Sequence, residues 1–361
     1  MKVLHLAANL TEDIAINLVN CSILFVVIGR KDIFMSKQIT TAVWGTAPWS
    51  SELLTLDGDV GRGRASADAR DSLVDKEQEL FYELLNSQAI TTHNNGQLSW
   101  PDYLRPIAKL ADGFEGDPDT GSVTRWFDTN TFYRQPVISG ELSLRDELAW
   151  SALIAGELSD NYELTLLSPF AFSELSGSRG TDPQEKLQHV VGLYSQLFGQ
   201  LESAGVGKVL LFEPYAPYHQ VGVFGAEVLS KTIDQLAEEH PSIDISLYLG
   251  YGDPSDIARV LAENKFLDGI GWDIAKTNGQ FTVPELSQKR FIAGLVDSSN
   301  THIDQDSGLV DMAEDLVVQI NSEEITLTHS VELEHVPPAY AYKKVEQLGR
   351  LASNFAQGGT K

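Results

Sequence analysis

The sequence predicts an α/β fold, specifically a (β/α)8 TIM barrel with a structured insertion after its second strand. From Ile39 onward, short apolar runs alternate with amphipathic stretches, which is typical of βα units around a parallel sheet. The length of 361 residues accommodates one barrel of about 250 residues with additions. The composition, 42% hydrophobic and 21% charged, supplies a sizeable core and excludes disorder of the whole chain.

Each predicted strand is a short apolar run, and eight such runs occur in the sequence. They are Ile39–Trp44, Ala89–His93, Leu164–Leu167, Lys208–Phe212, Ile243–Leu249, Gly269–Ile274, Phe291–Val296 and Ile325–Thr328. The helices predicted between them have apolar residues at three- and four-residue spacing. They are Asp68–Leu85, Pro183–Ala204, Glu227–His240, Asp256–Glu263, Gly308–Ile320 and Ala339–Ala352. A doubly wound open sheet is the alternative, although no GxGxxG motif follows the first run.

A single barrel is predicted over residues 35–356. Residues 1–34 are interpreted as an N-terminal extension, disordered or outside the domain, because regular patterning begins only after Met35. Residues 357–361 are predicted to form a flexible tail. The connection from Leu98 to Glu163 is too long for a bare loop and contains the aromatic stretch Arg125–Tyr133, so it is predicted to be the structured insertion.

Charge and cysteine content limit the partners and the compartment. The net charge of −25 would be repelled by nucleic-acid phosphates and by anionic membrane surfaces. Cys21 is the only cysteine, which excludes an intramolecular disulfide and favours a reducing cytoplasm. The apolar run Ile14–Gly29 is too short for a membrane helix and contains Asn17 and Asn20. We therefore expect a cytoplasmic protein with a small-molecule substrate and with neither a nucleic-acid nor a membrane partner.

Polar residues accumulate where the apolar runs end, which in such a barrel is the end that carries chemistry. They are Gly45–Thr46, His93–Gln97, Ser168, Glu213, Tyr251–Asp253, Asp273, Asp297–Asn300 and His329–Ser330. Glu213 follows four apolar residues and precedes a proline. It is interpreted as an anchor for a substrate amine or hydroxyl, with a salt bridge to a neighbouring loop as the alternative. Asp273 and Asp297 end strands in the same way.

The segment Trp126–Arg134 combines several aromatic residues with Asp128 and Asn130, a mixture able to sandwich a flat ring and to bond its edge. Packing of the insertion against the barrel is the alternative. His93 and His335 are candidate general acids or metal ligands, although a lone histidine is more often structural. The candidate catalytic residues are Glu213 and Asp273, and the candidate substrate-binding residues are Asn95, Gln97, Asp128, Asn130, Tyr133, Ser168, Asp297, Asn300 and His335.

Five ordered motifs between Thr40 and Ala352 resemble those of the cobalamin-independent methionine synthase family. HNNGQLSWPDYLRP is similar to the family's TDGQ-x-x-W-x-D stretch, and RWFDTNTFYRQPVI is similar to its F-D-x-N-x-x-Y-x-x-P element. LLFEPYAP resembles the D-E-P strand end, GLVDSSNTHID the strand and loop G-(L/V)-(V/I)-x-x-R-N, and THSVELEHVP the final S-x-S-L-x-H-x-P strand. The resemblance is to the family's zinc-free N-terminal barrel and to the related stand-alone archaeal-type proteins.

This resemblance implies a barrel of the methionine synthase and uroporphyrinogen decarboxylase-like type, acting in methyl transfer from a methylated folate, or from a corrinoid carrier, to homocysteine. In the family's two-barrel enzymes, the C-terminal barrel binds zinc through histidine, glutamate and cysteine. The matching positions here offer no His or Cys in ISLYLGYGD, Asp273 in place of Glu, and Val331 in place of Cys. We therefore expect no metal ligands and no tightly bound cofactor, methylated folate as a co-substrate, and a separate zinc-bearing barrel as a partner.

The sequence leaves three functions open. The leading hypothesis is a homocysteine S-methyltransferase or a subunit of one. The second is a non-catalytic barrel that binds a pterin or an amino acid and regulates or complements a partner methyltransferase. The third is a single-barrel methyltransferase with a different methyl donor, using Glu213, Asp273 and a histidine, with or without a metal.

Overall fold

The computed structural model describes residues 14–16, 27–29, 37–145, 161–274 and 284–356 of the chain. The strands in chain order are β1 (Ile14–Ile16), β2 (Val27–Gly29), β3 (Gln38–Val43), β4 (Thr92–His93), β5 (Ala111–Phe114), β6 (Ser122–Arg125), β7 (Phe132–Gln135), β8 (Val137–Leu144), β9 (Leu164–Leu167), β10 (Gly177–Ser178), β11 (Lys208–Glu213), β12 (Asp244–Leu249), β13 (Gly269–Asp273), β14 (Arg290–Val296) and β15 (Glu324–His329).

Eight of these strands form one parallel sheet in the order β4-β3-β15-β14-β13-β12-β11-β9. An isolated parallel bridge between His93, at the end of β4, and Tyr162, ahead of β9, brings the two edges of the sheet together. The first and last barrel strands are neighbours, because Gln38 pairs with Glu324. The predicted (β/α)8 barrel is therefore confirmed, and the open-sheet alternative is wrong.

The predicted runs agree closely with the barrel strands because parallel strands buried on both faces are almost continuously apolar. The second run is the exception, since the run from Ala89 to His93 contributes only its last two residues to β4. Ala89 has a φ of 52° and lies in the turn after the preceding helix, where the Ile90 N–H still bonds the Leu85 carbonyl at 3.1 Å. The helical turn therefore delays the start of the strand.

Helices pack around the outside of the barrel. They are α1 (Ser51–Gly61), α2 (Ala67–Ser87), α3 (Arg105–Lys109), α4 (Pro169–Leu175), α5 (Pro183–Ser203), α6 (Tyr215–Tyr218), α7 (Gly222–Glu239), α8 (Ser255–Ala262), α9 (Asp306–Gln319) and α10 (Pro338–Ala356). Side chains cap several of them at the N-terminus: the Ser66 hydroxyl accepts the Ala69 N–H, and the Asp182 carboxylate accepts the Gln184 N–H. Within the described ranges, the helices are too short or too polar to cross a bilayer.

The insertion after the second barrel strand is structured, as predicted. β5 pairs antiparallel with β8, and the short β10 pairs parallel with the other edge of β8. β6 and β7 form a separate antiparallel hairpin, with Arg125 opposite Phe132 nearest its turn. Residues 146–160, the later part of the predicted insertion, lie outside the described ranges.

Aromatic side chains fill the barrel interior near the C-terminal ends of the strands. The Trp44 ring centroid lies 4.7 Å from that of Tyr248 and 5.0 Å from that of Phe212, across the barrel. The Tyr248 hydroxyl reaches the far side and donates to the Ser330 carbonyl at 2.8 Å. Gly294 makes this path possible, since a Cβ there would lie 2.0 Å from the Tyr248 oxygen.

The opposite, N-terminal end of the barrel contains a polar cavity of about 590 Å³. Arg290 forms an ion pair with Glu163 beside this cavity and donates to Ser246 Oγ at 2.8 Å. Because chemistry in such barrels is carried at the other end, we regard this ion pair as structural.

The N-terminal segment is described only at β1 and β2, which pair with each other in antiparallel register. The first barrel strand begins at Gln38, close to the predicted boundary after Met35. The rest of the predicted extension, including Cys21, and the predicted tail at 357–361 lie outside the described residues. The proposed limits of the barrel domain therefore stay a prediction.

Candidate active site

Acidic and aromatic side chains line the C-terminal end of the barrel, which we call the mouth. Glu213 ends β11, Asp273 ends β13 and Glu332 follows β15, and all three side chains are buried. Tyr248 lies close to two of them: burial raises its pKa well above the usual range, and the charges of Asp273 and Glu332 raise it further. The mouth therefore concentrates negative charge in a largely desolvated space.

Glu213 and Ser168 are in direct contact, and both also bind the backbone. The Ser168 hydroxyl donates to Glu213 Oε2, and the Ala216 N–H donates to Oε1 at 2.7 Å. Ser168 also caps α4 by accepting the Ala171 N–H at 2.9 Å. Burial raises the pKa of Glu213 to about 7, although these hydrogen bonds act in the opposite direction. Within the described ranges Glu213 forms no ion pair, so the salt bridge considered as its alternative role is not observed there.

Asn95 and Gln97 lie in the loop after β4, and both are buried. The Gln97 side chain donates to the Thr165 carbonyl at 3.0 Å, and Asn95 Oδ1 accepts the Gln97 N–H at 3.0 Å. Gln97 has a φ of 45°, a left-handed conformation that these bonds stabilise. The two amides therefore fix the loop that borders the mouth, and their role in substrate binding stays a prediction.

The β6–β7 hairpin brings two aromatic rings to the mouth. Trp126 stacks on Tyr103 at 5.9 Å between ring centroids, and Phe127 stacks on Tyr251 at 5.1 Å. The Trp126 indole N–H also donates to the Tyr251 hydroxyl at 3.2 Å. The alternative interpretation of this segment, packing of the insertion against the barrel, therefore describes both rings.

The other predicted binding residues of the hairpin have different surroundings. Asp128 and Asn130 are exposed in and near the turn, whereas Glu213 is fully buried. A hydrogen bond with Asp128 raises the pKa of Tyr218, which places Asp128 beside the short helix α6 that follows β11. Tyr133 is buried, and its hydroxyl donates to the Leu175 carbonyl at 3.2 Å.

Asp297 and Asn300 interact within their own loop after β14. Asp297 accepts the Asn300 side-chain N–H at 2.6 Å and the Ser299 N–H at 2.9 Å. The buried Lys344 of α10 donates to the carbonyls of Asp297 and His302, which ties this loop to the helix layer. The arrangement organises the loop locally, and Asn300 is exposed.

His335 belongs to a cluster at the end of the last strand that also contains Glu332, Glu334 and Tyr251. His335 Nε2 lies 3.5 Å from Glu332 Oε2, and the Tyr251 hydroxyl contacts both groups, at 2.8 Å from Glu332 Oε2. Burial raises the pKa of Glu334 to about 7, and the charge of Glu332 raises it further, against the effect of His335. Tyr251 itself has a φ of 63°, so its ring is held at the mouth by a strained backbone.

The predicted site residues thus separate into groups. The structure brings His335 together with the hairpin through Tyr251, and Glu213 together with Ser168. His93 lies apart from them, because its buried ring packs edge-on against Tyr82 of α2. Glu332 and Glu334 are not among the residues selected from the sequence; the signal that identifies them is the alternation E-L-E-H, which begins three residues after the last strand residue, His329.

A closed parallel barrel with buried acids and aromatic rings at its C-terminal mouth defines the class of (β/α)8 proteins that bind small ligands at that end. The model of the family described as cobalamin-independent synthase, N-terminal domain, matches residues 106–320, more than half of the chain. The chain therefore belongs to the family of the N-terminal domain of cobalamin-independent methionine synthases.

Curated relatives carry the name 5-methyltetrahydropteroyltriglutamate–homocysteine methyltransferase. The protein of Rhodococcus jostii is 29% identical over 229 residues, which cover 60% of this chain and 29% of the relative. The protein of Caulobacter vibrioides is 26% identical over 71% of this chain and 37% of the relative. The chain thus spans about a third of the length of these relatives.

Solved structures support the fold. A B12-independent methionine synthase from Shewanella sp. W3-18-1, in complex with selenomethionine, superposes with a TM-score of 0.68 at 12% identity, covering 88% of this chain and 97% of that one. A putative vitamin-B12 independent methionine synthase from Listeria monocytogenes gives a TM-score of 0.67 at 13% identity, covering 87% and 98%.

By the motif resemblance, Val331 stands where the family's catalytic barrel has a zinc-binding cysteine. His329 lies two residues before Val331, and its ring is engaged on both sides. Nε2 accepts the Trp44 N–H at 3.2 Å, and Nδ1 lies 2.8 Å from the Val331 carbonyl. Burial lowers the pKa of His329 to about 4, so the ring is neutral and serves as a structural link between β3 and β15.

Proposed function

We propose that this chain acts as the N-terminal-type barrel of a cobalamin-independent methionine synthase, contributing to methyl transfer from a methylated folate, or a corrinoid carrier, to homocysteine. The observation that carries the proposal is the family match, which falls on the N-terminal domain over residues 106–320. Two curated relatives are named for this reaction, and the chain covers 29% and 37% of their lengths. A separate zinc-bearing barrel would then supply the thiol-activating metal.

The chemistry of the mouth supports a ligand with a cationic amine and a flat ring. Asp273 and Glu332 provide buried negative charge, which favours an ammonium group such as that of an amino acid. Phe127 and Tyr251, which are only partly buried, provide aromatic surface beside these acids, on which a ring such as a pterin would pack. In this proposal the chain binds and orients the substrates and the partner barrel activates the homocysteine sulfur.

A second candidate function is a barrel that binds a pterin or an amino acid without catalysing a reaction. The contacts of Glu213 favour it, because both carboxylate oxygens already accept hydrogen bonds from Ser168 and Ala216. A carboxylate engaged in this way is less available for proton transfer.

The test measures methionine formation from methyltetrahydrofolate and homocysteine with the chain alone, with a zinc-bearing C-terminal-type barrel alone, and with both. We expect the mixture to exceed the partner alone by about tenfold or more. Asp273→Asn should remove this increase, whereas Glu227→Gln, at an exposed position of α7, should retain it.

A mixture that is no faster than the partner alone would contradict the methyl-transfer proposal. Calorimetric binding of methionine or methyltetrahydrofolate to the chain, without any rate increase, would instead favour the non-catalytic barrel.

A further inference from the structure

The cluster of Glu332, Glu334 and His335 has the spacing of a metal site. Each residue offers one ligand atom, and these three atoms lie within 4.8 Å of one another. Two ligands bound at about 2.1 Å to one ion are at most about 4.2 Å apart, so side-chain shifts of less than about 1 Å would suffice. The pair His335 Nε2 and Glu332 Oε2 is already at 3.5 Å, a separation usual for neighbouring ligands.

Glu332 provides an independent indication that this cluster can bind a cation. Its side chain is 0% exposed, and its Oε1 atom has no hydrogen-bond partner among the described residues. A buried carboxylate oxygen without a partner loses its hydration without compensation, which is costly unless a cation or a proton neutralises it.

Basic side chains do not supply that neutralisation. In the described part of the chain, no lysine or arginine forms an ion pair with Glu332 or Glu334, and the partner of Glu332 is the His335 imidazole, which carries a charge only when protonated. Asp273 adds a further negative charge near Tyr248, and the whole chain carries a net charge of −25. The electrostatic potential at the mouth therefore attracts cations.

The ligand types indicate which cations fit. Two carboxylates and one imidazole suit a first-row divalent transition ion, since carboxylates bind Mn²⁺ well and imidazole adds affinity for Co²⁺ and Zn²⁺. Mg²⁺ prefers an octahedral set of oxygens and its own waters, so an imidazole ligand disfavours it. None of the three residues occupies a position that matches a zinc ligand of the family's catalytic barrel, and the set contains no thiolate.

We propose that Glu332, Glu334 and His335 form a binding site for an exchangeable divalent transition cation at the barrel mouth. Tyr251 lies against the same atoms and accepts the Trp126 indole N–H. Tyr251 would therefore orient Glu332 and His335 without binding the cation itself. This proposal does not depend on methyl transfer, and its test uses no substrate.

The experiment titrates the metal-stripped chain with Co²⁺ and follows the d–d absorption bands, with calorimetry for Mn²⁺, Zn²⁺ and Mg²⁺. We expect about one Co²⁺ per chain, with Mg²⁺ binding at least about tenfold more weakly than Co²⁺. Glu332→Gln and His335→Gln should each weaken Co²⁺ binding by about tenfold or more, whereas Glu227→Gln should bind like the parent.

The thermal midpoint provides a second readout in case a variant folds poorly. Co²⁺ should raise the midpoint of the parent and of Glu227→Gln but leave that of His335→Gln unchanged. Absence of d–d bands in the parent would overturn the proposal. Equal Co²⁺ affinity in the parent and both cluster variants would overturn it as well, and Mg²⁺ binding as tight as Co²⁺ would overturn the imidazole ligand.

Discussion

At the scale of single residues, the sequence predicts the position of Glu213 correctly but does not predict its hydrogen-bond partners. Its place after four apolar residues predicts a buried acid at a strand end, and it is fully buried at the end of β11. Its partners, Ser168 and the Ala216 N–H, could not be read from the sequence, because they come from a loop and from the strand's own following turn.

The raised pKa of Glu213 predicts a specific dependence of stability on pH. The folded-state pKa of Glu213 is about 7, compared with an ordinary value of 4.5. The folded state therefore retains the proton to a higher pH than the unfolded state does. The resulting stabilisation is complete below the unfolded pKa and is lost as the pH rises through the folded pKa, a change of about 3 kcal/mol.

Glu213→Gln should remove that dependence. We expect the free energy of unfolding of the variant, relative to the parent, to rise by about 3 kcal/mol between pH 4.5 and pH 8, because glutamine does not titrate. Urea unfolding at several pH values measures this, with Glu227→Gln as the exposed control. A difference between variant and parent that is constant over this range would show that Glu213 does not titrate there.

The acids of the candidate cation site illustrate what sequence reasoning misses. His335 is identified because it lies in a motif with a recognisable proline neighbour, whereas Glu332 and Glu334 resemble the solvated acids common in loops. Their burial depends on tertiary contacts: the Glu334 N–H bonds the Thr46 carbonyl at 3.1 Å, and Tyr251 covers Glu332. Neither contact has a local signature.

At the scale of elements, the β6–β7 hairpin covers the mouth mainly through two rings. The sequence indicates an aromatic segment inside a structured insertion, and the structure places Trp126 and Phe127 against barrel-end residues. Phe127 has a φ of 45°, so the hairpin turn bends the chain to deliver its ring to Tyr251. The contact of Phe127 with Tyr251 is thus one of the interactions that hold the hairpin over the mouth.

Phe127→Ala should increase local opening of the β6–β7 hairpin. We expect deuterium uptake to rise in residues 122–135, because loss of the ring stack removes about 1 kcal/mol or more that holds the hairpin down. Phe132→Ala in the same hairpin is the matched control, since that ring is 56% exposed. Equal deuterium uptake in the two variants, measured by mass spectrometry, would mean that the stack of Phe127 on Tyr251 does not hold the hairpin against the barrel.

At the scale of the whole molecule, the barrel is the part that the sequence predicts best. Each of the eight strands of the sheet overlaps an apolar run, although β4 contains only the last two residues of its run, because burial on both faces favours apolar residues along most of each strand. The six predicted helices are also present, because a helix that buries one face repeats apolar residues at three- and four-residue spacing. The mouth is harder to predict, since its contacts join residues as distant as Trp126, Tyr251 and Glu332.

The barrel should fold without residues 1–34. β1 and β2 pair with each other, and the first barrel strand starts at Gln38. We expect the truncated chain to melt within about 3 °C of the full chain, a difference of about 1 kcal/mol or less. Calorimetry measures the midpoint, and deletion through residue 43, which removes β3, serves as the control that should not fold. A larger loss on removing 1–34 would place the extension in the fold.

The extent of pairing differs between neighbouring strands of the barrel. β11 and β12 share six register pairs from Lys208 to Glu213, whereas β4 meets the β9 side only through the bridge between His93 and Tyr162. Two hydrogen bonds of 3.1 Å hold that joint, from the His93 N–H to the Asn161 carbonyl and from the Glu163 N–H to the His93 carbonyl. β4 also shares only two register pairs with β3, so we expect sub-global opening to separate the barrel beside β4, near His93, before it separates β11 from β12.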